Sequence, residues 1–388
     1  MPFIGLLACL LLIVQGAAAQ EAPAIEWNAT FSADLKNKFE SVQQIADGGY
    51  IAAGSSIGTN FSEPEDLLLV RTDSAGNEAW NRTYDGLTAS SVIQTGDGGY
   101  AIAANTIAVT PGETTGAMGT AYLIKTDDAG NIVWNAAFEG QKASVVRQTT
   151  DGGYALIGWT WNPAGSTEDT DAIITKTDSE GNQTWNRSFA GRAAYAGQQT
   201  DDGGYILGGT KSPFAYDAGD AFLIRLEADG TERWSRNLDL PSVYALGETF
   251  DGGYIVTGSF WYARVDAEGN ELWKSRVQGL DGWAALQAPG GGYLIAGQIN
   301  DDAVAMKTDD RGTVEWNLTF PHGGAYAADL TDDGGYILAG ITFPEMGATD
   351  AWMMKLRDTA EPGQATPGFG TLVAMAAVCV LLALWRRR

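Results

Sequence analysis

Cysteine is almost absent from this chain. Its 388 residues include two, Cys9 and Cys379, each inside an apolar terminal segment. The body between them has no disulfide, no thiol nucleophile and no Cys-ligated zinc. Histidine is scarcer still, with His322 alone. That excludes a multi-histidine metal site and leaves a Ser-His-Asp arrangement one candidate base. Positive charge is also short: 24 Lys and Arg stand against 48 Asp and Glu, for a net charge of -24. Nucleic acid needs a basic surface and is excluded as a partner. Calcium would suit the acidity, but no Asp-x-Asp-x-Asp-Gly loop occurs, and no metal or other cofactor is expected.

What is present points to a large all-β core. The chain is 45% hydrophobic and 19% charged, and it has 50 glycines, which mark tight turns rather than long helices. Both ends read as targeting segments. Residues 1–19 hold the apolar run Ile4–Val14 and end in Ala17-Ala18-Ala19, the pattern of a cleaved signal peptide. Phe369 to Trp385 carries no charge and is followed by Arg386-Arg387-Arg388. This predicts a transmembrane helix with its basic tail inside and the rest of the chain outside.

The body repeats. Asp-Gly-Gly-Tyr occurs at Asp47–Tyr50, Asp97–Tyr100, Asp151–Tyr154, Asp202–Tyr205, Asp251–Tyr254 and Asp333–Tyr336, and Gly290–Tyr293 has Gly for Asp. A period near 50 residues with strand-like units means a propeller or a solenoid. Each unit reads as four strands joined by a Gly-Gly hairpin, a variable loop and an Asp-x-x-Gly-Asn turn. The fourth strand carries Trp27, Trp80, Trp134, Trp185, Trp234, Trp273 or Trp316. Trp27 precedes the first unit, and the last unit ends without a fourth strand. A ring solves this mismatch. The expectation is therefore a seven-bladed β-propeller over residues 20–357, of four-stranded antiparallel blades, whose N-terminal strand completes the last blade. A short linker, 358–367, and the C-terminal segment 368–388 follow.

Two resemblances extend this reading. Pro367-Gly368-Phe369, then the apolar stretch, then the arginines resembles the C-terminal sorting signal of archaeal surface proteins. That resemblance implies removal of the helix and attachment of a lipid at the cell surface. Lys125 to Trp134, with its Asp-to-Gly turn leading into a Trp strand, resembles the tryptophan-docking repeat of quinoprotein-type propellers. It implies the fold, with Trp locking neighbouring blades, and not the quinone chemistry.

Function is expected on the face with the variable loops. Trp159, Trp161 and Trp261 lie there, with Phe214, Tyr216 and Phe343. A second set falls seven residues before the inner turn in consecutive units: Tyr195, Tyr244, Trp283 and Tyr326. These are expected to form an arc at the mouth of the central channel, as a stacking platform for a sugar or peptide, or else to fill the channel. A basic residue recurs in every third strand: Arg71, Lys125, Lys176, Arg225, Arg264, Lys307 and Lys355. Each is expected to pair with an acid two residues on, such as Asp73, Asp127 or Asp178, rather than to form an anion site. Six sequons, at Asn28, Asn60, Asn81, Asn182, Asn186 and Asn317, are candidate glycosylation sites. The whole reads as a surface-anchored binding or envelope-organising module and not an enzyme. Its expected partners are envelope components, glycans or surface proteins. Lectin-like recognition is the alternative within binding. A glycoside-active site, which would need paired carboxylates, is the alternative in catalysis.

Overall fold

Gly-Gly hairpins need positive φ. Gly48, Gly98, Gly152, Gly203, Gly252 and Gly334 all adopt it, between 79° and 88°. Each begins a reversal that returns the chain antiparallel on itself. The computed structural model describes residues 22–31, 36–57, 65–106, 119–161, 170–211, 221–343 and 349–357. Among these every regular element is a strand. The segments expected as a signal peptide, a linker and a C-terminal transmembrane helix, with Pro367, Gly368 and Phe369, lie outside them.

Repeat 1 shows the plan. Its strands, from the channel outward, are Lys36–Gln44, Tyr50–Ile57, Glu65–Thr72 and Glu78–Tyr84. The two middle strands are nearly continuous in buried apolar residues, because neighbouring sheets cover both their faces. The outermost strand alternates exposed and half-buried positions.

Hydrogen bonding groups the strands into six sheets, five of four strands and one of six. This overturns the expectation of seven separate four-stranded blades: counted by sheets, the propeller has six. Repeats 5 and 6 run together. Repeat 5 has almost no loop between its second and third strands, which join as one segment, Tyr254–Val265, bent at Phe260 (φ 67°). The next segment, Glu271–Gln287, continues unbroken from the outer edge of repeat 5 to the channel wall of repeat 6. Its Asp281 pairs with Ser259 at that bend. Gly247 permits the close approach: a Cβ there would lie 2.6 Å from the Ala285 carbonyl oxygen.

The ring closes through the strand at the front of the chain. Ala24–Phe31 pairs antiparallel with Asp350–Arg357 and completes the sheet of repeat 7. Each outer-strand Trp then docks on the following repeat. Trp27, Trp80, Trp134, Trp185, Trp234 and Trp273 lie against Gly76, Gly130, Gly181, Gly230, Gly269 and Gly312, where an added Cβ would come within about 3 Å of the indole. The Tyr of the Gly-Gly-Tyr motif meets the same ring edge-on in four repeats, as in Trp80–Tyr100 at 5.9 Å and 66°, and at a tilt in Trp273–Tyr293 and Trp316–Tyr336.

The recurring basic residue has a different partner from the one expected. It turns back to the Asp of its own inner turn. Lys125 meets Asp97 and Lys176 meets Asp151, both at 2.9 Å, and Arg71, Arg225, Arg264 and Lys355 do likewise with Asp47, Asp202, Asp251 and Asp333. Lys307 has no such Asp, since Gly290 stands there, and it takes Glu315 at 2.9 Å instead. Asp73, Asp127 and Asp178 are occupied with Asn77, Asn131 and Asn182 across the outer turn.

A glutamine belt joins the repeats below the channel. The Gln three residues before an inner turn accepts the backbone N–H of the preceding repeat: Gln94 from Ala46 at 2.8 Å, Gln148 from Gly96 at 2.9 Å, Gln199 from Thr150 at 2.9 Å, Gln287 from Phe250 at 2.6 Å. Gln44 joins repeat 7 to repeat 1 in the same way, by accepting from Asp332 at 2.7 Å. Repeat 5 has Glu248 at this position and repeat 7 has Leu330; for the latter, the matching residue of the preceding repeat is Pro289, which has no N–H to offer. Gln94→Leu is expected to cost about 1 kcal/mol in chemical denaturation by stranding the Ala46 N–H. Leu330→Gln should gain nothing; a gain of similar size would refute this account of the belt.

Candidate functional site: the central channel

The innermost strand of every repeat faces one cavity of about 1170 Å³. It is lined at one end by residues at the start of these strands, such as Lys38, Lys142 and Tyr195, and at the other by Phe250 beside the inner turns. The strands run roughly parallel to the channel axis, so a residue's distance from its inner turn sets its height on the wall.

The aromatic arc lies on that wall. Tyr195, Tyr244, Trp283 and Tyr326 all line the cavity and all are half-buried. They pair edge to face: Tyr195 with Tyr244 at 5.8 Å, and Trp283 with Tyr326 at 4.6 Å and 87°. Gly324 makes room for the second pair, since a Cβ there would stand 2.7 Å from the Tyr326 ring and 3.1 Å from Trp283. Ser259, which donates to Asp281 at 2.6 Å, holds Tyr244 by accepting from its hydroxyl at 3.3 Å. The rings thus neither fill the channel nor wedge between sheets.

Other predicted residues divide. Trp159 joins the channel wall, with Lys142 Nζ 5.6 Å from its ring centre. Trp261 does not: it is 4% exposed and packs with Leu223, Val243 and Val256. The tight bend at Phe260 turns it inward, and Phe260 takes the exposed place. The side chain of Trp161, with Phe214 and Tyr216, lies outside the described residues, and Phe343 is exposed. Asn28, Asn81, Asn182, Asn186 and Asn317 are exposed; Asn60 lies outside the described residues.

The channel also holds charges that sequence reasoning passed over. At the loop end, Lys38 pairs with Glu40 at 2.9 Å. Burial alone would lower the Lys38 pKa, but Glu40 outweighs it and the net shift is upward. Lys142 goes down, through the surrounding protein and then the nearby Lys38 charge. Deeper, burial lowers the Arg147 pKa and pushes Asp329 up to about 6. Glu248 is raised by burial and by Asp201, and it accepts a bond from Gln198 at 3.1 Å. Only the ring of innermost strands brings these groups together, since they are spread over almost 300 residues of chain. Their one sequence signal was a charged residue on an otherwise small and apolar strand.

No protein-family model matches this sequence, and no curated protein matches it. Solved structures do. The chain is similar to the WD40 β-propeller domain of Doa1, with a TM-score of 0.58 and 11% identity over 84% of this chain and 95% of that one. It is also similar to the Dos1 propeller, with a TM-score of 0.53 and 11% identity over 86% of this chain and 94% of that one. At such identity the likeness shows the fold alone: the described chain is a β-propeller.

Proposed function

We propose that this protein is a binding module, held outside the cell, that takes its ligand at the loop end of the central channel. The observation that carries the reading is the arc of four half-buried rings facing a cavity of about 1170 Å³. Rings that only filled a core would be buried, as the Gly-Gly-Tyr tyrosines are. Half-exposed rings on a concave wall offer stacking area at small entropic cost. The reading is of binding rather than catalysis. Three channel carboxylates already serve local contacts: Glu40 to Lys38, Glu248 to Gln198, and Asp329 to the Leu330 N–H at 2.9 Å. The surface address rests on the apolar N-terminal run, the Pro367-Gly368-Phe369 tripeptide with its basic-ended apolar stretch, and the sequons. Envelope components, surface proteins and glycans are the partner classes this address supplies.

A glycan and peptide array probed with the full-length chain in detergent, beside Trp283→Ala, tests the reading. Specific binding is expected, weakened at least tenfold in the variant. Binding that Trp283→Ala leaves unchanged would move the site away from the channel.

A further inference from the structure

The rim of the channel has two chemistries at one height. Seven residues before the inner turn, repeats 4 to 7 carry the four rings, whereas repeats 1 to 3 carry Glu40, Ser90 and Ser144; all seven residues line the cavity. A pyranose has the same division, with a C–H face that stacks on aromatics and an edge of hydroxyls that hydrogen-bond. An extended peptide offers no such flat face at every unit.

Charge narrows the class. Lys38 is neutralised by Glu40. Lys142 and Arg147, on the same Gln141–Gln148 strand, make no ion pair among the described residues. Lys142 lies over Trp159, and Arg147 donates to the Val146 carbonyl at 2.8 Å. Two cations that no carboxylate meets at ion-pair distance, turned into one cavity of a chain with net charge -24, leave a place for a ligand's carboxylate, with Asp329 acting on Arg147 only from further off. At ~3.3 Å per residue they stand roughly 15 Å apart along the wall, one near the rim and one deep. Glu40, Glu65, Glu248 and Asp329 line the same cavity, which disfavours a densely charged polyanion.

Resting on the reading of the channel as the binding site, we propose that its ligand is an acidic oligosaccharide in which uronate units alternate with neutral ones. A sugar ring stacks on the Trp283–Tyr326 pair, its hydroxyls face the polar half of the rim, and a uronate carboxylate is held by Lys142. Arg147 meets a second carboxylate further down.

The test uses tetrasaccharides that alternate uronate and neutral sugars, each beside its carboxyl-reduced counterpart, titrated into the full-length chain by calorimetry. The uronates are expected to bind at least tenfold tighter than the reduced forms, with affinity falling as salt rises. Lys142→Gln, which breaks no ion pair and so is expected to leave thermal unfolding nearly unchanged, should erase that difference. Arg147→Gln should have a smaller effect in the same direction. Equal binding of both forms would overturn the proposal while leaving the channel a sugar site. Peptide binding alone, lost in Trp283→Ala, would also overturn it and leave the binding reading intact. No binding of any ligand on the array would overturn both.

Discussion

A chain lacking residues 22–31 is expected not to fold to a stable monomer. The missing strand pairs with Ala351 to Arg357 of the strand Asp350–Arg357, which is buried from Ala351 to Leu356. Without it that strand becomes an open, apolar sheet edge, a template for aggregation. The loss also cuts the contact between the last repeat and the first. Trp27 donates its indole N–H to the Ser74 carbonyl at 3.1 Å and meets Tyr50 at 5.4 Å. Phe31 meets Phe39 at 5.4 Å, and Glu26 pairs with Arg357 at 2.9 Å. Folding free energies are about 5–15 kcal/mol, so removing a strand and its docking aromatics consumes most of the margin. Size-exclusion chromatography and near-ultraviolet circular dichroism would show aggregated material without fixed aromatic packing. The milder Trp27→Ala should cost about 2–3 kcal/mol, less than a fully buried Trp because this ring is half-exposed. Peptide 22–31 added in trans should restore part of the signal. If the shortened chain melts cooperatively within a few degrees of the parent, the ring is not held by this strand.

Asp151→Ala should destabilise the fold by about 1–2 kcal/mol, and Lys176→Met in the same chain should recover most of it. Lys176 is 5% exposed, and its ammonium is held by Asp151 and by the Thr177 carbonyl at 2.8 Å. Removing the carboxylate leaves a buried cation without a counter-ion, whereas removing both charges leaves an apolar stem among apolar neighbours. The Asp is itself well exposed, which sets the estimate below that for a fully buried pair. Urea denaturation of the parent, both single variants and the double variant gives the cycle. A double variant as unstable as Asp151→Ala would show that the lysine charge is not what the Asp satisfies.

The same pairs give the fold an acid limit. A hydrogen bond from Thr95 holds Asp97 at about 2. Burial pushes Asp151, Asp202 and Asp333 upward, but bonds from the preceding Thr and the buried cation outweigh it, and they also rest at about 2. A carboxyl depressed on folding binds its proton less readily in the folded state. Its contribution is therefore complete above the unfolded value near 4 and is lost as pH falls from about 4 to about 2. Each is worth about 1 kcal/mol or less after screening, since these side chains are half-exposed or more. Asp329 has the opposite sign: raised to about 6, it favours the folded state most when protonated, and that contribution fades as pH rises through 6. Stability is thus expected to fall steeply below pH 4, and the penalty of Asp151→Ala to shrink there as the parent loses the same interaction.

The sequence by itself determined the propeller, the four strands of a repeat and the displaced strand at the front. These follow from local chemistry: Gly-Gly at positive φ, period-two outer strands and one Trp per repeat act within about 50 residues. It also placed the aromatic arc, because a fixed count back from each inner turn sets a fixed height on the wall. Tertiary structure alone decided three matters. It merged repeats 5 and 6 into one sheet, since a bend at a single residue and the missing side chain of Gly247 act between strands far apart in sequence. It chose the partner of each buried cation, because Lys125 and Asp73-type acids are close in sequence while the Asp of the inner turn is close only across the folded hairpin. And it gathered Lys38, Lys142, Arg147, Glu248 and Asp329 around one channel. Charges on separate innermost strands meet only when the ring closes, so the chemistry of the site depends on Ala24–Phe31 reaching Asp350–Arg357.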